Sequence, residues 1–319
     1  MIETMRRAVT TVCTLLVWLG FYVATASAQT NCNNINNATL ASSTSITATP
    51  AYQPFSGSQL THSFNLTVQN SNSSACSIAI ILVRSTSPVV MSNGSFSLGY
   101  NIDFNGTPVV NIGTPSTGFY ATAPGNGTAT FSSYNLTIAA NQTSAAAGAY
   151  TDTQVAVYLY AFRSNRWNLV RTYAMNFSAF INKTCVMSAP SPSTLNFTSA
   201  ISLGIPNPAV GLSSTLPGVH CTSPSKITLT GNAMQHVPAV GTVSGFDSLI
   251  NWQATATLGS ATAMLSTNTA STVTSAGYNV PSGTTVGGSV GVNVNLIAGQ
   301  RLRSGNYTGV LTVTLDPTL

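Results

Sequence analysis

The sequence predicts an all-β protein with two β-sandwich domains, and three observations lead to this prediction. Short segments in which apolar and polar residues alternate are separated by Gly, Pro and Asn, and none has the 3.6-residue period of an amphipathic helix. One strand pattern occurs twice. Its copies are 157 positions apart, which is the length of an ordinary domain. The copies read Gly148-Ala-Tyr-Thr followed by Val155, Val157 and Leu159, and Gly305-Asn-Tyr-Thr followed by Leu311, Val313 and Leu315.

The two copies differ in length by one residue, and the chain continues differently after each. The first copy has one residue more between its Tyr and its apolar run. That residue would turn the run to the other face of the sheet, so a β-bulge is predicted in the first copy. After the first copy the chain makes one more strand, whereas after the second it stops.

The first 28 residues have the pattern of a signal peptide. Arg6 and Arg7 form a basic region, residues 8–24 are mostly apolar, and Ala26-Ser-Ala28 is a small-residue cleavage site. A transmembrane anchor is the alternative, although the Ala-Ser-Ala ending argues against it. We therefore expect an exported mature chain that begins at Gln29.

The cysteines of the mature chain are expected to form disulfides. Cys32, Cys76, Cys185 and Cys221 remain once Cys13 leaves with the signal peptide, and an even number in an exported protein favours disulfides over free thiols. Four cysteines allow three pairings. With two domains, Cys32–Cys76 and Cys185–Cys221 is the local one. Zinc is not expected, because no Cys-X-X-Cys or His-X-X-X-His spacing occurs.

The low charge of the chain excludes some partners. Charged residues make up 5% of the sequence, and without Arg6, Arg7 and Glu3 the ten basic and five acidic residues become eight and four, a net charge of +4. They are dispersed, so neither a nucleic-acid-binding stripe nor a polybasic membrane patch is expected. A surface of Asn, Ser and Thr suits an exported β-protein that becomes part of an assembly.

The first domain is predicted to span residues 29–181. Its strands are expected at residues 45–55, 60–69, 76–84, 95–104, 128–139 and 149–162. Prolines at 50 and 54 place the first of these at an edge. Residues 162–167 read as a hairpin, and the strand after it is predicted to complete the sandwich, with one face formed by Trp167, Leu169, Tyr173, Met175 and Phe177.

The second domain is predicted to span residues 182–319, beginning with a linker region at 182–192. Strands are expected at 195–197, around Cys221, at 226–230, at 252–258 and at 290–297. The last strand, residues 307–315, has no strand after it to pair with. A sandwich without its final strand leaves an apolar groove and an unpaired edge in water, which exported proteins avoid, so a partner is expected there.

These motifs resemble the spore coat protein U domain, the pilin module of archaic (Csu-type) chaperone–usher pili. In the second domain the match is carried by Cys185, Leu195, Phe197, Cys221 and the segment from Gly305 to Leu315, where Gly309 replaces the family's usual Asp. In the first it is carried by Cys32, Cys76, Tyr100-Asn-Ile and Gly148-Ala-Tyr-Thr-Asp152. The resemblance covers most of the mature chain, although only these short motifs are specific.

The resemblance implies a function. Pilins of this family are incomplete immunoglobulin-like sandwiches, and a neighbour's N-terminal extension, or beforehand a periplasmic chaperone, fills the groove by strand addition. A two-domain member with a complete first domain looks like the tip adhesin, with an outer-membrane usher and the next pilin as further partners. The second domain is then a pilin domain lacking its last strand, whose acceptor edge carries Tyr307, Leu311, Val313 and Leu315.

The residues before the first domain agree with this interpretation. Gln29-Thr-Asn-Cys32 is too short and too polar to donate a strand, so the chain is expected to accept one only. The implied role is attachment of bacterial cells to surfaces, and support of biofilm formation, from a fimbrium on the cell surface. The alternatives are a structural subunit or adaptor without a receptor, and a secreted enzyme or sugar-binding sandwich.

Catalysis is not expected. The mature chain has four acids and three histidines, with no nucleophile motif and no two carboxylates at motif spacing, so no cofactor or metal is expected either. These residues are Asp103, Asp152, Asp247, Asp316, His62, His220 and His236. Asp152 and Asp316 flank strand ends and are interpreted as turn or surface residues.

Apolar loops are the candidate binding site. Residues 107–112, with Val109 and Val110, the pair Phe119-Tyr120, and the hairpin with Arg163, Arg166 and Trp167 put large residues where loops are usually polar. Exposed apolar clusters mark contact surfaces, here for an apolar surface or an unknown receptor. The alternative is that these side chains fold back onto the sandwich. The hairpin lies at the end of the first domain farthest from the second, because its second strand must run towards the linker.

Overall fold

The structure is a computed structural model, and it describes residues 29–112, 118–188, 193–239, 241, 243–259, 261–275, 277–279 and 286–317. The predicted signal peptide lies outside these residues. The described residues form strands, turns and two short 3-10 helices, Ile35–Asn37 and Thr198–Ala200. Within them, no helix has the length and apolar character needed to cross a membrane. The all-β prediction is confirmed.

The first sandwich has two layers that share one core. Its strands are β1 (Ala38–Leu40), β2 (Ser45–Thr47), β3 (Leu60–Asn70), β4 (Cys76–Arg84), β5 (Val90–Asn93), β6 (Phe96–Phe104), β7 (Thr107–Pro108), β8 (Val110–Ile112), β9 (Phe119–Ala123), β10 (Thr128–Ile138), β11 (Gly148–Arg163) and β12 (Arg166–Ile181). One layer has the order β1-β3-β10-β6, and the other has β4, β11, β12 and β2 side by side. β5 pairs with both β6 and β11 and so joins the layers.

The predicted hairpin and bulge are both present. β11 and β12 pair along their whole length around Ser164 and Asn165, whose positive φ values of 54° and 60° suit a tight two-residue turn. Between Asp152 and Val155, β11 has one residue more than the facing part of β12. This bulge absorbs the extra residue of the first copy, so Tyr150 and Val155 both face the core.

A second bulge corrects the predicted face of β12. The register shifts between Leu159 and Tyr160, where β12 has the additional residue Val170. Tyr173, Met175 and Phe177 pack in or against the core as predicted. Beyond the bulge, Trp167 and Leu169 pair with Phe162 and Tyr160 and lie on the outer face. The prediction that all five shared one face was wrong, because a one-residue bulge inverts the alternation.

The second sandwich has its own core, formed by residues between Phe197 and Leu302. Its strands are β13 (Cys185–Met187), β14 (Ile201–Ser202), β15 (Ile205–Pro206), β16 (Gly211–Cys221), β17 (Lys226–Gly231), β18 (Met234–Val237), β19 (Phe246–Asp247), β20 (Leu249–Ile250), β21 (Trp252–Leu258), β22 (Ala261–Ser266), β23 (Val273–Thr274), β24 (Tyr278–Asn279), β25 (Val286–Leu296), β26 (Arg301–Leu302), β27 (Asn306–Thr308) and β28 (Leu311–Asp316). One layer has the order β13-β16-β25-β21-β22, and β17 pairs with β28 in the facing layer.

The structure confirms both predicted disulfides and corrects one strand. Cys32 is bonded to Cys76 and Cys185 to Cys221. The strand predicted at residues 195–197 is instead irregular chain that leads into the 3-10 helix Thr198–Ala200. The physical reason lies in the neighbouring layer. The comparable strand of the first sandwich, β2, is held by parallel pairing to β12, and the described part of the second sandwich has no strand in that place.

Candidate functional site: an open groove and a distal aromatic cluster

The two sandwiches correspond strand by strand, and this correspondence locates the groove. β1, β3, β10 and β6 match β13, β16, β25 and β21, because the two layers have the same order and antiparallel pairing. In the facing layers β4 matches β17. β11 matches β27 and β28 together, since Gly148-Ala-Tyr-Thr and Gly305-Asn-Tyr-Thr begin these strands.

Among the described residues, the last strand of the second sandwich is paired on one edge only, whereas its counterpart in the first sandwich is paired on both. β11 pairs with β4 on one side and with β12 on the other. β28 pairs with β17, and no described residue pairs with its other edge. A row of unpaired backbone N–H and C=O groups beside an apolar groove is a template for an added strand.

Beside this edge is an apolar groove of about 610 Å³ that lies between the two layers. Its walls come from both layers and from the irregular segment 193–197: Met187, Ser193, Thr194, Leu195, Phe197, Ser214, Leu216, Met234, Trp252, Val292, Val294, Tyr307, Thr308, Gly309, Leu311 and Val313. Of the predicted acceptor edge, Tyr307, Leu311 and Val313 line the groove. Leu315 lies further along β28, half-buried against the core.

Tyr307 anchors one end of the groove. Its hydroxyl donates to the carbonyl oxygens of Asp247 (3.0 Å) and Arg303 (3.2 Å). Burial raises the pKa of this phenol above its ordinary value. The ring also packs edge-on against His236, with centroids 5.1 Å apart. The tyrosine is therefore held in place from three sides without any added strand.

The floor of the groove differs from the same level of the first sandwich. There Arg84 and Asp152 form a buried ion pair, Nε to Oδ2 2.7 Å, and the Tyr100 hydroxyl donates to the same oxygen (2.8 Å). In register, Arg84 corresponds to Gly231 and Asp152 to Gly309. In the other layer, Tyr100 pairs with Ile138 and Trp252 pairs with Leu296. Trp252 therefore occupies the position of Tyr100.

Two glycines and a tryptophan thus replace a polar triad. A Cβ on Gly231 would lie 2.6 Å from the Trp252 ring, so this glycine makes room for the indole. The interpretation of Asp152 as a turn or surface residue was wrong, because the carboxylate is buried and paired. Sequence reasoning missed Arg84, and it named Tyr100 only as part of a motif and not as a partner of Asp152. The difference between Asp152 and Gly309 in the two Gly-X-Tyr-Thr copies was the available signal, since it implied a different environment in each domain.

Aromatic residues of the hairpin and of β9 form a cluster at the far end of the first sandwich, which we call the distal cluster: Tyr120, Phe162 and Trp167. Trp167 lies 5.4 Å from Phe162 and 6.1 Å from Tyr120, between ring centroids. Tyr120 is 43% exposed, Trp167 is half-buried, and Arg163 and Arg166 are exposed beside them. β12 ends at Ile181, so the hairpin turn is about 50 Å away along a strand of this length.

The structure corrects the rest of the predicted binding loops. Residues 107–112 form β7 and β8, and Phe119 and Tyr120 begin β9, so these are strands paired to β6 and β4 and not loops. Val109 is 4% exposed and belongs to the core. Val110 and Phe119 pack partly against the core, and the tilted rings of Phe119 and Phe104 lie 4.0 Å apart between centroids. For Val109, Val110 and Phe119, the alternative is correct: the side chains fold back onto the sandwich.

The other titratable residues are dispersed. Asp103 accepts a hydrogen bond from Gly106 N in the β6–β7 turn, and Asp247 accepts from Gln300 N. His62 contacts Thr49, and both ring nitrogens of His236 face backbone carbonyl oxygens. No group of three or more His, Cys, Asp or Glu among the described residues could hold a metal ion.

Comparisons with known proteins give structural likenesses at low identity. No protein-family model matches the chain, so the resemblance to the spore coat protein U domain is not confirmed in that way. No curated protein matches it either. Several similar solved structures are components of chaperone–usher pili.

The first of these is a chain of the CsuC–CsuE chaperone–tip adhesion subunit pre-assembly complex from the archaic Csu pili of Acinetobacter baumannii, with 13% identity, a TM-score of 0.43, and coverage of 88% of this chain and 99% of that one. The adhesive subunit CfaE of CFA/I fimbria from enterotoxigenic Escherichia coli has 10% identity, a TM-score of 0.26, and coverage of 90% and 79%. The pilin subunit CooA of the same organism has 17% identity, a TM-score of 0.27, and coverage of 46% and 99%.

Proposed function

We propose that this chain is a subunit of a chaperone–usher pilus, joined to its neighbour by a strand that enters the groove beside β28. One observation carries the proposal: no described residue pairs with the outer edge of β28, which lies next to an apolar groove, whereas β12 fills the same place in the first sandwich. Apolar surface of this extent is normally covered in a protein exposed to water.

The partners can be inferred from the groove. During export a periplasmic chaperone covers it, an outer-membrane usher receives the complex, and the next pilin then supplies the permanent strand. A signal peptide at residues 1–28 directs the chain to the periplasm, and the fimbrium on the cell surface is its destination. The boundary between the domains falls at residues 181 and 182, where β12 ends.

We propose further that the chain is the tip adhesin and attaches cells to surfaces through the distal cluster, which supports biofilm formation. Tyr120 and Trp167 present partly exposed aromatic faces, and Leu169 is 48% exposed on the same outer face. Each large apolar side chain contributes about 1.5–3 kcal/mol when fully buried, so several of them at many pilus tips can hold a cell without a shaped pocket.

A strand graft tests the acceptor groove. Residues 167–181 are appended after Leu319 through a short flexible linker, so that the chain's own β12 sequence can fold back along β28. We expect the grafted mature chain to be monomeric and to unfold cooperatively, and the ungrafted chain to aggregate without a chaperone. A matched graft with Met175→Asp and Phe177→Asp removes the apolar face and should give no rescue. An ungrafted chain that is already monomeric and cooperatively folded would contradict the proposal.

A further inference from the structure

The first sandwich shows, residue by residue, which side chains fill such a groove. β12 pairs antiparallel with β11, and Met175, Phe177 and Ala179 lie opposite Val155, Asp152 and Tyr150. In the second sandwich these three positions of β11 correspond to Leu311, Gly309 and Tyr307. A strand added to β28 in the same way would place successive core-facing side chains opposite Leu311, Gly309 and Tyr307.

At the central position, Phe177 packs against a dense aromatic floor. Its ring lies 5.8 Å from Phe64 and 6.0 Å from Tyr100, and Phe64 stacks on Tyr134 at 5.4 Å. Phe64 pairs with Tyr134 across β3 and β10. Ser214 pairs with Val292 across β16 and β25, at the corresponding place in the second sandwich.

The groove floor is therefore wider at this level. Ser214 stands where the first sandwich has Phe64, and Val292 stands where it has Tyr134. The Trp252 ring does not refill this space, because it leans towards Gly231 at the position of Arg84, and its Nε1 donates to Asn232 O (2.9 Å). Ser214, Val292, Trp252 and Gly309 all line the groove.

The next position along the strand is narrow. In the first sandwich the fully buried Tyr150 faces Ala179, so a large residue on β11 is matched by a small one on β12. Tyr307 takes the place of Tyr150 and is fixed by its two hydrogen bonds to Asp247 and Arg303. A bulky side chain opposite Tyr307 would have to displace this ring.

We propose that the groove selects its donor by side-chain size, requiring an aromatic residue opposite Gly309 and a small residue opposite Tyr307. The inference rests on the proposed function and specifies the partner: an extended apolar strand, antiparallel to β28, with the order large, aromatic, small at alternate positions. Close packing gives the reason, since a groove vacancy left by a small side chain loses contacts on every wall.

Synthetic peptides with the sequence of residues 172–181 provide the probe. The mature chain is refolded by dilution with increasing peptide, and the monomeric fraction and the tryptophan fluorescence, to which Trp252 in the groove contributes, are followed. Four peptides are compared: the natural sequence, Phe177→Leu, Phe177→Ala, and an exchanged peptide with Phe177→Ala and Ala179→Phe. The exchanged peptide has the same composition as the natural one, so a difference between them reports position and not hydrophobicity.

We expect the natural peptide to act at the lowest concentration. Phe177→Ala should be roughly 1,000-fold weaker, the size of effect typical of truncating a buried Phe. Phe177→Leu should be intermediate, and the exchanged peptide the weakest. Equal action of the natural and exchanged peptides would overturn the inference while leaving strand addition intact. Failure of every peptide would count against the proposed function itself, and the inference would fall with it.

Variants of the chain test the same space from the other side. Ser214→Phe copies Phe64, so it should weaken the natural peptide and reduce or reverse its preference over Phe177→Ala. Ser213→Phe is the matched control, because Ser213 is exposed on the opposite face of β16. Val292→Tyr copies Tyr134 and repeats the test from β25, so a folding failure of one variant leaves the other. Identical peptide preferences in Ser214→Phe, Val292→Tyr and Ser213→Phe would overturn the inference.

Discussion

The buried ion pair of the first sandwich allows a quantitative test of the structure. The side chains of Arg84 and Asp152 are 4% and 1% exposed. Asp152 also accepts from Tyr100 and, at 2.8 Å, from Gln154 N in the bulge. Arg84 donates to the carbonyl oxygens of Thr86 and Val90. Removing one charge leaves the other buried and unpaired, which typically costs about 3–5 kcal/mol.

The perturbation is a double-mutant cycle of Arg84→Met and Asp152→Asn in the fragment of residues 29–181, whose only tryptophan is Trp167. We expect each single variant to lose about 3 kcal/mol of unfolding free energy, which lowers Tm by roughly 6–12 °C in a domain of this size. The double variant should lose clearly less than the sum, because neither charge is then left alone. The expected coupling is about 2–3 kcal/mol.

Urea unfolding, followed by Trp167 fluorescence, measures the free energy of unfolding of the parent fragment, of both single variants and of the double variant. Arg171→Met is the control, since Arg171 is an exposed arginine on β12, and such surface changes usually stay within about 0.5 kcal/mol. Additive single effects, with a coupling under about 0.5 kcal/mol, would refute the buried pair and with it the polar triad of the first sandwich.

Other parts of the molecule give four further predictions. Replacing Cys32 and Cys76 by Ser should cost about 4 kcal/mol by loop entropy, because the bond closes a loop of 44 residues, and non-reducing peptide mapping that joined the two halves would contradict both the pairing and the domain boundary. Burial raises the pKa of both Tyr100 and Tyr134 above the ordinary 10, so these tyrosines lose their protons at lower pH in the unfolded chain than in the folded one. The free energy of unfolding should therefore fall above about pH 10, by about 1.4 kcal/mol per pH unit for each tyrosine. This fall with pH should be less steep in Tyr134→Phe, and an unchanged steepness would contradict the burial of Tyr134. The fragment of residues 29–181 should fold alone as a monomer in ultracentrifugation, since β12 closes its sandwich, whereas residues 182–319 should aggregate unless a donor peptide is present. Trp167→Ser with Tyr120→Ser should abolish attachment of piliated cells to polystyrene with pili still visible by electron microscopy, where Val109→Ser, a core change, should instead reduce folding; normal attachment by the double variant would favour a structural subunit without a receptor.

The alternation of short strands was sufficient to predict the fold class, because a half-buried strand must alternate. Val155, Val157 and Leu159 face the core, and β11 and β21 begin and end within a residue of their predicted positions, whereas β12 continues four residues beyond Phe177, the last residue of its predicted face. The extra residue in the first Gly-X-Tyr-Thr copy was enough to predict its bulge. The second bulge at Val170 could not be read in the same way, since the described part of the second sandwich has no strand that corresponds to β12.

The site was predicted in part, and the failures have physical causes. The open edge of β28 was predicted by comparison with the first Gly-X-Tyr-Thr copy, which is followed by a strand that can pair with it. The buried state of Val109 was not, because a run of apolar residues between turn signals fits a loop as well as a short strand such as β8. The Arg84–Asp152–Tyr100 triad joins three strands that are far apart in sequence, so only the register of the sheets could bring it together.

The edge of β28 is the central claim, and amide hydrogen exchange tests it most directly. In Leu311–Asp316 of β28, some backbone N–H groups point towards β17 and the others point away from it. In the freshly refolded mature chain, the N–H groups that point away should exchange orders of magnitude faster than those of residues 155–160 in β11, which is paired on both sides. Adding the peptide of residues 172–181 should protect β28 to the level of β11 and leave β11 unchanged. If β28 is already as protected as β11 without the peptide, its edge is covered in the free chain and the acceptor groove does not exist.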